Sequence, residues 1–494
     1  MSFGYRSNPI KSLLYLLLSI HLLAVAVDSS LAAPNQFVDL RIYQIMIDRF
    51  SDGDLANNNN LGVAPYGFRG GDLRGVIDKL SYIQDLGFNA ILLNPIFSGD
   101  APHGYAVKDF FQVDPRFGTL QDYDDLIAAA HQRGMKIFFD LVLNHTSGNS
   151  LIFKNHPEWF RPVEKVKSGN EALMDLPWAE ATFFTLHDLN QDQAEVYNYL
   201  QSVAKFWSQR GIDGFRMDAV TLIEPKFWKK FNAELRKSVK KDFIIHGEIF
   251  STDRERIMRY LPAFNSFFDF PLQAALSDVV IKGHHPVLIK ESRMLDSLTY
   301  PKDKMRFSFI DNHDLERFPL GANNRLRKLA LAFIFTAHGN PTLLYGTEVG
   351  LENDPQLSKS VWDKGRSTMN WEIQPERDLR GYVKFLNQLR TTYELTTAER
   401  SDVCDRDLPP LYFSIFQSKN KRLIAVYNFS DQVFTNYAFN IQHLLSGPTA
   451  MQKLKKELSL VTLTPGENAV IMSDLRGIVK LTIPALSAEF YELQ

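Results

Sequence analysis

An α/β fold, a (β/α)8 barrel with a short inserted domain after its third strand and a C-terminal antiparallel β-domain, is the class this sequence predicts, on three observations. Short apolar runs alternate with amphipathic helical stretches from residue 41 to about 395. The runs number eight and are apolar at nearly every position, as strands covered on both faces must be. After about residue 398 the pattern changes to short alternating runs typical of antiparallel strands.

The chain opens on an apolar run, Leu13 to Val27, behind Arg6 and Lys11 and ahead of Ser30 and Ala32. That pattern describes a secretory signal peptide over 1–32, cleaved after Ala32. The run is short for a membrane span, so the expectation is a secreted or periplasmic protein with no stable membrane insertion after cleavage. The barrel is expected over 33–145 and 191–397. Its strands are read at 41–47, 89–95, 136–144, 214–220, 243–250, 264–270, 305–311 and 341–347. Between them, 73–87, 120–134 and 195–211 place apolar residues at helical spacing and end in glycine, a common helix stop. The stretch 146–190 is long and irregular, an inserted loop domain, and loops of that length inside a compact domain usually carry function. Residues 398–494 read as a β-sandwich domain. The one low-complexity patch is the asparagine run 57–60.

Net charge is −2, so there is no basic excess to neutralise phosphates, and nucleic acid is excluded as a partner. With Cys404 as the sole cysteine no internal disulfide can form.

In such a barrel, polar residues at the C-terminal ends of strands are the first suspects for chemistry. Here they are Asp140, Asn144 and His145 after strand three, Arg216 and Asp218 on strand four, Glu248 on strand five and Asp311 to Asp314 on strand seven. In "GFRMDAV" (214–220) the period-two rule puts Arg216, Asp218 and Val220 on one face. Several carboxylates in one barrel mouth are costly unless they act, and together they suggest glycoside hydrolysis, in which a carboxylate attacks the anomeric carbon while a carboxylic acid protonates the leaving oxygen. Arg216 beside Asp218 keeps that carboxylate charged, which makes Asp218 the nucleophile, Glu248 the acid/base and Asp314 the group that holds sugar hydroxyls.

The segments "DLVLNH" (140–145), "GFRMDAV", "GEIF" (247–250) and "FIDNHD" (309–314), in that order, resemble the four signature segments of the α-amylase family. "HGYAVKDFFQVDPRFGT" (103–119) and "GNPTLLYGTEVGL" (339–351) match as well. The resemblance spans roughly 41–395 and implies the same three catalytic roles. It adds His145 and His313 as donors to sugar hydroxyls, Arg216 as a substrate-site residue and Tyr105 as a stacking platform, and leaves Asp140 a supporting role.

The loop "DGDLANN" (52–58) places Asp52, Asp54, Asn57 and Asn58 at spacings that suit a hard cation. It resembles a calcium loop of cyclodextrin glucanotransferases and related enzymes, in which Gly70 and Asp72 would complete the Ca2+ shell. The family's other common calcium site would join Asn144 and Asp188 to a histidine four residues past the nucleophile. That position is Leu222, which cannot ligate.

The leading expectation is a retaining glycosidase hydrolysing α-1,4 bonds of starch-like polysaccharides or maltooligosaccharides. The alternative is a cyclomaltodextrinase, neopullulanase or α-glucan transglycosylase, since Thr221 and Leu222 depart from the Lys-His pair of familiar α-amylases. A catalytically inactive carbohydrate-binding relative is the remote reading, and all three catalytic carboxylates are present against it.

Overall fold

The computed structural model describes residues 39–58, 61, 67–162, 186–357, 363–419, 421–441, 458–465, 469–474 and 478–494. The leader expected over 1–32 and most of the insertion, 163–185, lie outside them. Eight parallel strands close into a barrel: β1 (Ile42–Ile45), β2 (Ala90–Leu93), β3 (Lys136–Leu141), β4 (Gly214–Met217), β5 (Ile244–Gly247), β6 (Ser266–Phe268), β7 (Met305–Ser308) and β8 (Asn340–Leu344). β8 pairs back onto β1.

Alternate residues build the interior. Leu92, Phe138, Gly214 and Ile244 stand in register across β2 to β5. All but the glycine join Ile42, Phe268 and Phe307 in an apolar cluster. A Cβ on Gly214 would lie 2.6 Å from the Phe138 ring and 2.4 Å from the Ile244 carbonyl oxygen, so the glycine is what lets the phenylalanine fill this layer. Two residues further along, Asp140, Arg216 and His246 align in the same way. An apolar layer thus carries a charged one. The outward residues, among them Ile91, Phe139, Phe215 and Ile245, pack against the surrounding helices. Burying each such side chain contributes about 1.5–3 kcal/mol.

The strands are shorter than the apolar runs. β4 ends at Met217, and Ala219 turns the chain with a left-handed φ of 49°, so Val220 belongs to a helical turn rather than to the face of Arg216. The run 264–270 holds only β6, because Asp269 caps the next helix by accepting from the Leu272 amide at 3.1 Å. The stretch 73–87 is two helices, Leu73–Asp78 and Leu80–Asp85, separated at Lys79. Gly87, Gly134 and Gly211, the glycines that end the three helical patterns, all take positive φ. An antiparallel hairpin of Phe97–Gly99 and Val107–Val113, not evident from periodicity, stands between β2 and the helix Leu120–Gln132. The two ends of the insertion pair with each other, His145–Ser147 running antiparallel to Leu186–Asp188.

The C-terminal strands are β9 (Glu399–Val403), β10 (Leu411–Ser418), β11 (Lys421–Asn428), β12 (Phe434–Asn440), β13 (Ser459–Thr462), β14 (Val470–Met472), β15 (Ile478–Ile483) and β16 (Ser487–Leu493). They form a six-stranded antiparallel sheet, order β9-β10-β11-β16-β13-β14, faced by the pair β12–β15. Phe413 and Phe439 stack between the two sheets at 4.2 Å. The six-stranded sheet docks on the helix Arg325–Thr336: Phe333 meets Tyr412 at 5.3 Å and Tyr427 at 5.2 Å, and Arg400 donates to the Thr336 carbonyl at 2.9 Å. Asp39–Gln494 therefore makes one compact unit. Cys404 is a buried free thiol. No helix among the described residues is long and apolar enough to cross a membrane.

Candidate active site

Arg216 is fully buried and gathers the acidic groups. Its Nη1 donates to Asp218 Oδ1 at 2.9 Å, to the Tyr105 hydroxyl at 3.3 Å and to Asp140 Oδ1. Its Nη2 donates to Glu248 Oε1 and stands 4.0 Å from Asp314 Oδ2. Asp140 comes from β3, Asp218 and Glu248 follow the last residues of β4 and β5, and Asp314 lies in the loop after β7. The turn that ends β4 also fixes the glutamate, because the Ala219 amide donates to Glu248 Oε2 at 2.9 Å.

The surroundings push these carboxyls apart. Burial drives Glu248 well above the ordinary range; Arg216 opposes the rise, and the negative charges of Asp218 and Asp314 add to it. Burial would raise Asp314 too, but His313, Arg366 and Arg216 together hold it well below the usual range. Burial lifts Asp140 to about 7, again against Arg216. One carboxyl kept protonated next to one kept charged is the arrangement acid–base chemistry at neutral pH requires.

Tyr105 and the two histidines line the same place. The Tyr105 hydroxyl donates to Asp140 Oδ2 at 2.7 Å and lies 2.6 Å from His313 Nε2, and its ring stacks on those of His313 and His103. Gln44 Nε2 donates to His313 Nδ1 at 2.9 Å, which leaves the proton on Nε2, 3.0 Å from Asp314 Oδ2. His145 Nε2 donates to the Tyr105 carbonyl at 3.2 Å. The structure thus brings together Asp218, Glu248, Asp314, Arg216, Tyr105, His145 and His313.

Sequence reasoning missed Gln44, Asn94, His103 and Arg366. Gln44 sits on β1, a polar residue inside an apolar run, which is the signal that picked out Arg216. Asn94 follows β2 directly and donates to the Tyr105 hydroxyl at 3.2 Å. Arg366 donates to Asp314 Oδ1 at 2.8 Å from the irregular stretch after β8, where no strand end marks it.

The six oxygen-bearing residues of the N-terminal loop also meet. Asp72 caps the helix Leu73–Asp78, accepting from the amides of Gly75 and Gly53 on Oδ1 and from the Asp54 amide and Asn57 Nδ2 on Oδ2. Asn58 Nδ2 donates to Asp52 Oδ2 at 2.6 Å, and both side chains crowd against Gly70. Asp54 caps the Ala56 amide. The Oδ1 atoms of Asn57 and Asn58 are buried without a hydrogen-bond partner among the described residues. Orphaned buried oxygens beside carboxylates fit a hard cation. Among the described residues no group of three or more His, Cys, Asp or Glu side chains is placed to hold a metal ion, so such a site would depend on amide and carbonyl oxygens. At the position of the family's other common calcium site Asn144 Nδ2 donates directly to Asp188 Oδ1 at 3.0 Å, and Leu222 supplies no ligand atom.

Residues 44–427 match the family described as alpha amylase, catalytic domain. A cyclomaltodextrinase of Thermoanaerobacter pseudethanolicus is 31% identical over 477 residues, covering 89% of this chain and 78% of that protein. An intracellular maltogenic amylase of Bacillus subtilis is 32% identical over 380 residues, covering 70% of this chain but only 61% of the relative's length. The crystal structure of an α-amylase from Geobacillus thermoleovorans complexed with acarbose superposes with a TM-score of 0.76 at 28% identity, over 92% of this chain and 98% of that one. These matches correct the expectation of a secreted or periplasmic protein, since a relative over most of this chain is by name an intracellular enzyme. The physical reason is that the expectation rested on a local hydropathy pattern, the run Leu13 to Val27 with Arg6, Lys11, Ser30 and Ala32 around it, which does not by itself fix a compartment.

Proposed function

Because the chain belongs to the α-amylase family of glycoside hydrolases, we propose that it cleaves α-1,4-glucosidic bonds of maltooligosaccharides and cyclodextrins by a retaining double displacement. The observation that carries this reading is the sharing of Arg216: Asp218 on one nitrogen, Glu248 on the other, Asp314 at the edge. Asp218 attacks the anomeric carbon as the bond to the glycosidic oxygen breaks, and the Glu248 proton passes to that leaving oxygen. Glu248, now a carboxylate, takes a proton from water; the water oxygen attacks the same carbon and Asp218 departs. Asp314, His145 and His313 hold the sugar hydroxyls, and the Tyr105 ring lies beneath the sugar.

The preference for short or cyclic substrates over starch rests on the relatives' names, a cyclomaltodextrinase and a maltogenic amylase, and on Thr221 and Leu222 just past the nucleophile. A sugar hydroxyl in place of water in the second step would make the product a longer oligosaccharide. Calcium belongs to the same reading: Asp52, Asp54, Asn57, Asn58, Gly70 and Asp72 would hold it, and its contribution would be to tie the loop after β1 to the helix Leu73–Asp78. The test is a product profile on cyclodextrins, maltoheptaose, pullulan and soluble starch, with the first product's anomer read by NMR. We expect cyclodextrins and maltoheptaose to be cleaved fastest and the α-anomer to form first. A β-anomer, or binding without turnover, refutes the mechanism.

A further inference from the structure

The loops after β7 and β8 are fastened to each other at several points. The Arg317 side chain is 4% exposed; its Nε donates to the Gly365 carbonyl at 2.7 Å and its Nη1 to the Tyr345 carbonyl at 2.6 Å. Gly365 lies so close to the neighbouring loop that a Cβ there would stand 2.2 Å from the Leu315 carbonyl oxygen. Outside this contact Lys364 Nζ pairs with Glu316 Oε1 at 2.6 Å. Gly365 is followed by Arg366, whose three side-chain nitrogens each reach an acceptor: Nε the His313 carbonyl at 2.9 Å, Nη2 Asp314 Oδ1 at 2.8 Å and Nη1 Asp363 Oδ1 at 2.9 Å.

We propose that Arg366 is a positioning residue for Asp314, and that Arg317, by gripping the Gly365 carbonyl, fixes Arg366 in that place. A guanidinium held on both sides presents Nη2 to one carboxylate oxygen in one orientation, while His313 faces the other oxygen. Asp314 therefore keeps its rotamer before any sugar arrives. Arg317 touches none of the acidic groups itself and acts through the backbone of the next loop.

This inference rests on the catalytic reading of Asp314, so the experiment separates the two. The substrate is α-maltotriosyl fluoride, whose fluoride leaves without a general acid, so that the first step draws on Asp218 and Asp314 but not on the Glu248 proton. Wild-type enzyme inert on it refutes the proposed function. With wild type active, Arg366→Gln is expected to lower kcat by about 10–100-fold with KM changed less than about threefold, the scale at which misplacing a catalytic group acts. Arg317→Lys, which cannot reach both carbonyls, should lower kcat in the same direction by about 3–10-fold, with KM again nearly constant. A rise in KM at unchanged kcat in Arg366→Gln would mean that Arg366 only grips sugar, and overturns the inference. So does an Arg317→Lys enzyme with lowered Tm but wild-type kcat, since it assigns Arg317 to stability alone. Should Arg366→Gln fail to fold, Arg317→Lys decides by the same two outcomes.

Discussion

Lysine cannot stand in for Arg216. An ammonium carries the same charge, but a point donor cannot hold Asp218 on one nitrogen and Glu248 on another as a planar fork does. Arg216→Lys should therefore fold, as circular dichroism will show, yet lose about 100-fold or more in kcat/KM on maltoheptaose. Glu248 offers a cleaner separation of roles. Glu248→Gln should abolish cleavage of maltoheptaose while retaining a burst of fluoride release from α-maltotriosyl fluoride, because that leaving group needs no proton. The pH dependence follows from the raised Glu248 carboxyl: the acid is protonated below its shifted value and is lost as pH climbs through it. The alkaline limb of kcat/KM should thus lie well above the ordinary glutamate value of about 4.3. These carboxylates were legible because Asp218 and Glu248 directly follow apolar strands, where a charge is conspicuous. Arg366 was not, since its place is set by a loop from a distant part of the chain, and His103 was passed over beside Tyr105, on which its ring stacks.

The segment from Asp52 to Asp72 shows how much one short helix depends on its cap. Four donors converge on the Asp72 carboxylate, and Gly75 is needed where the Ser51 carbonyl oxygen would stand 1.9 Å from a Cβ. Asp72→Ala should cost about 1–2 kcal/mol or somewhat more in urea denaturation, the range for losing a helix cap. If the loop holds calcium as proposed, a chelator should lower the Tm of the wild type and leave Asp72→Ala almost unchanged. Equal melting with and without chelator would remove calcium from the reading. Periodicity located the strands but not their ends, because a strand here stops where its chain must turn for chemistry, as at Ala219, or cap the next helix, as at Asp269. Apolar residues continue past both points, Val220 after the turn and Phe270 after the cap, so the sequence pattern overshoots.

Barrel and β-domain share a buried seam at which Phe333, Tyr412 and Tyr427 meet and Arg400 reaches the end of a barrel helix. Removing 398–494 would strip that helix of its cover, and the shortened chain should be insoluble. Phe333→Ala should cost about 3–5 kcal/mol and lower one cooperative transition in calorimetry rather than split it. The change of pattern near residue 398 made the second domain legible, whereas its docking was not, since the seam is built from residues some eighty positions apart in the chain. One further feature has practical value. Cys404 is the only sulfhydryl in the chain; it is 2% exposed, and burial pushes it up to about 12, so it stays unreactive toward alkylating reagents at neutral pH. A cysteine introduced on the 363–367 loop would then be the sole site for a fluorophore, and its emission could follow that loop during turnover without any background to subtract.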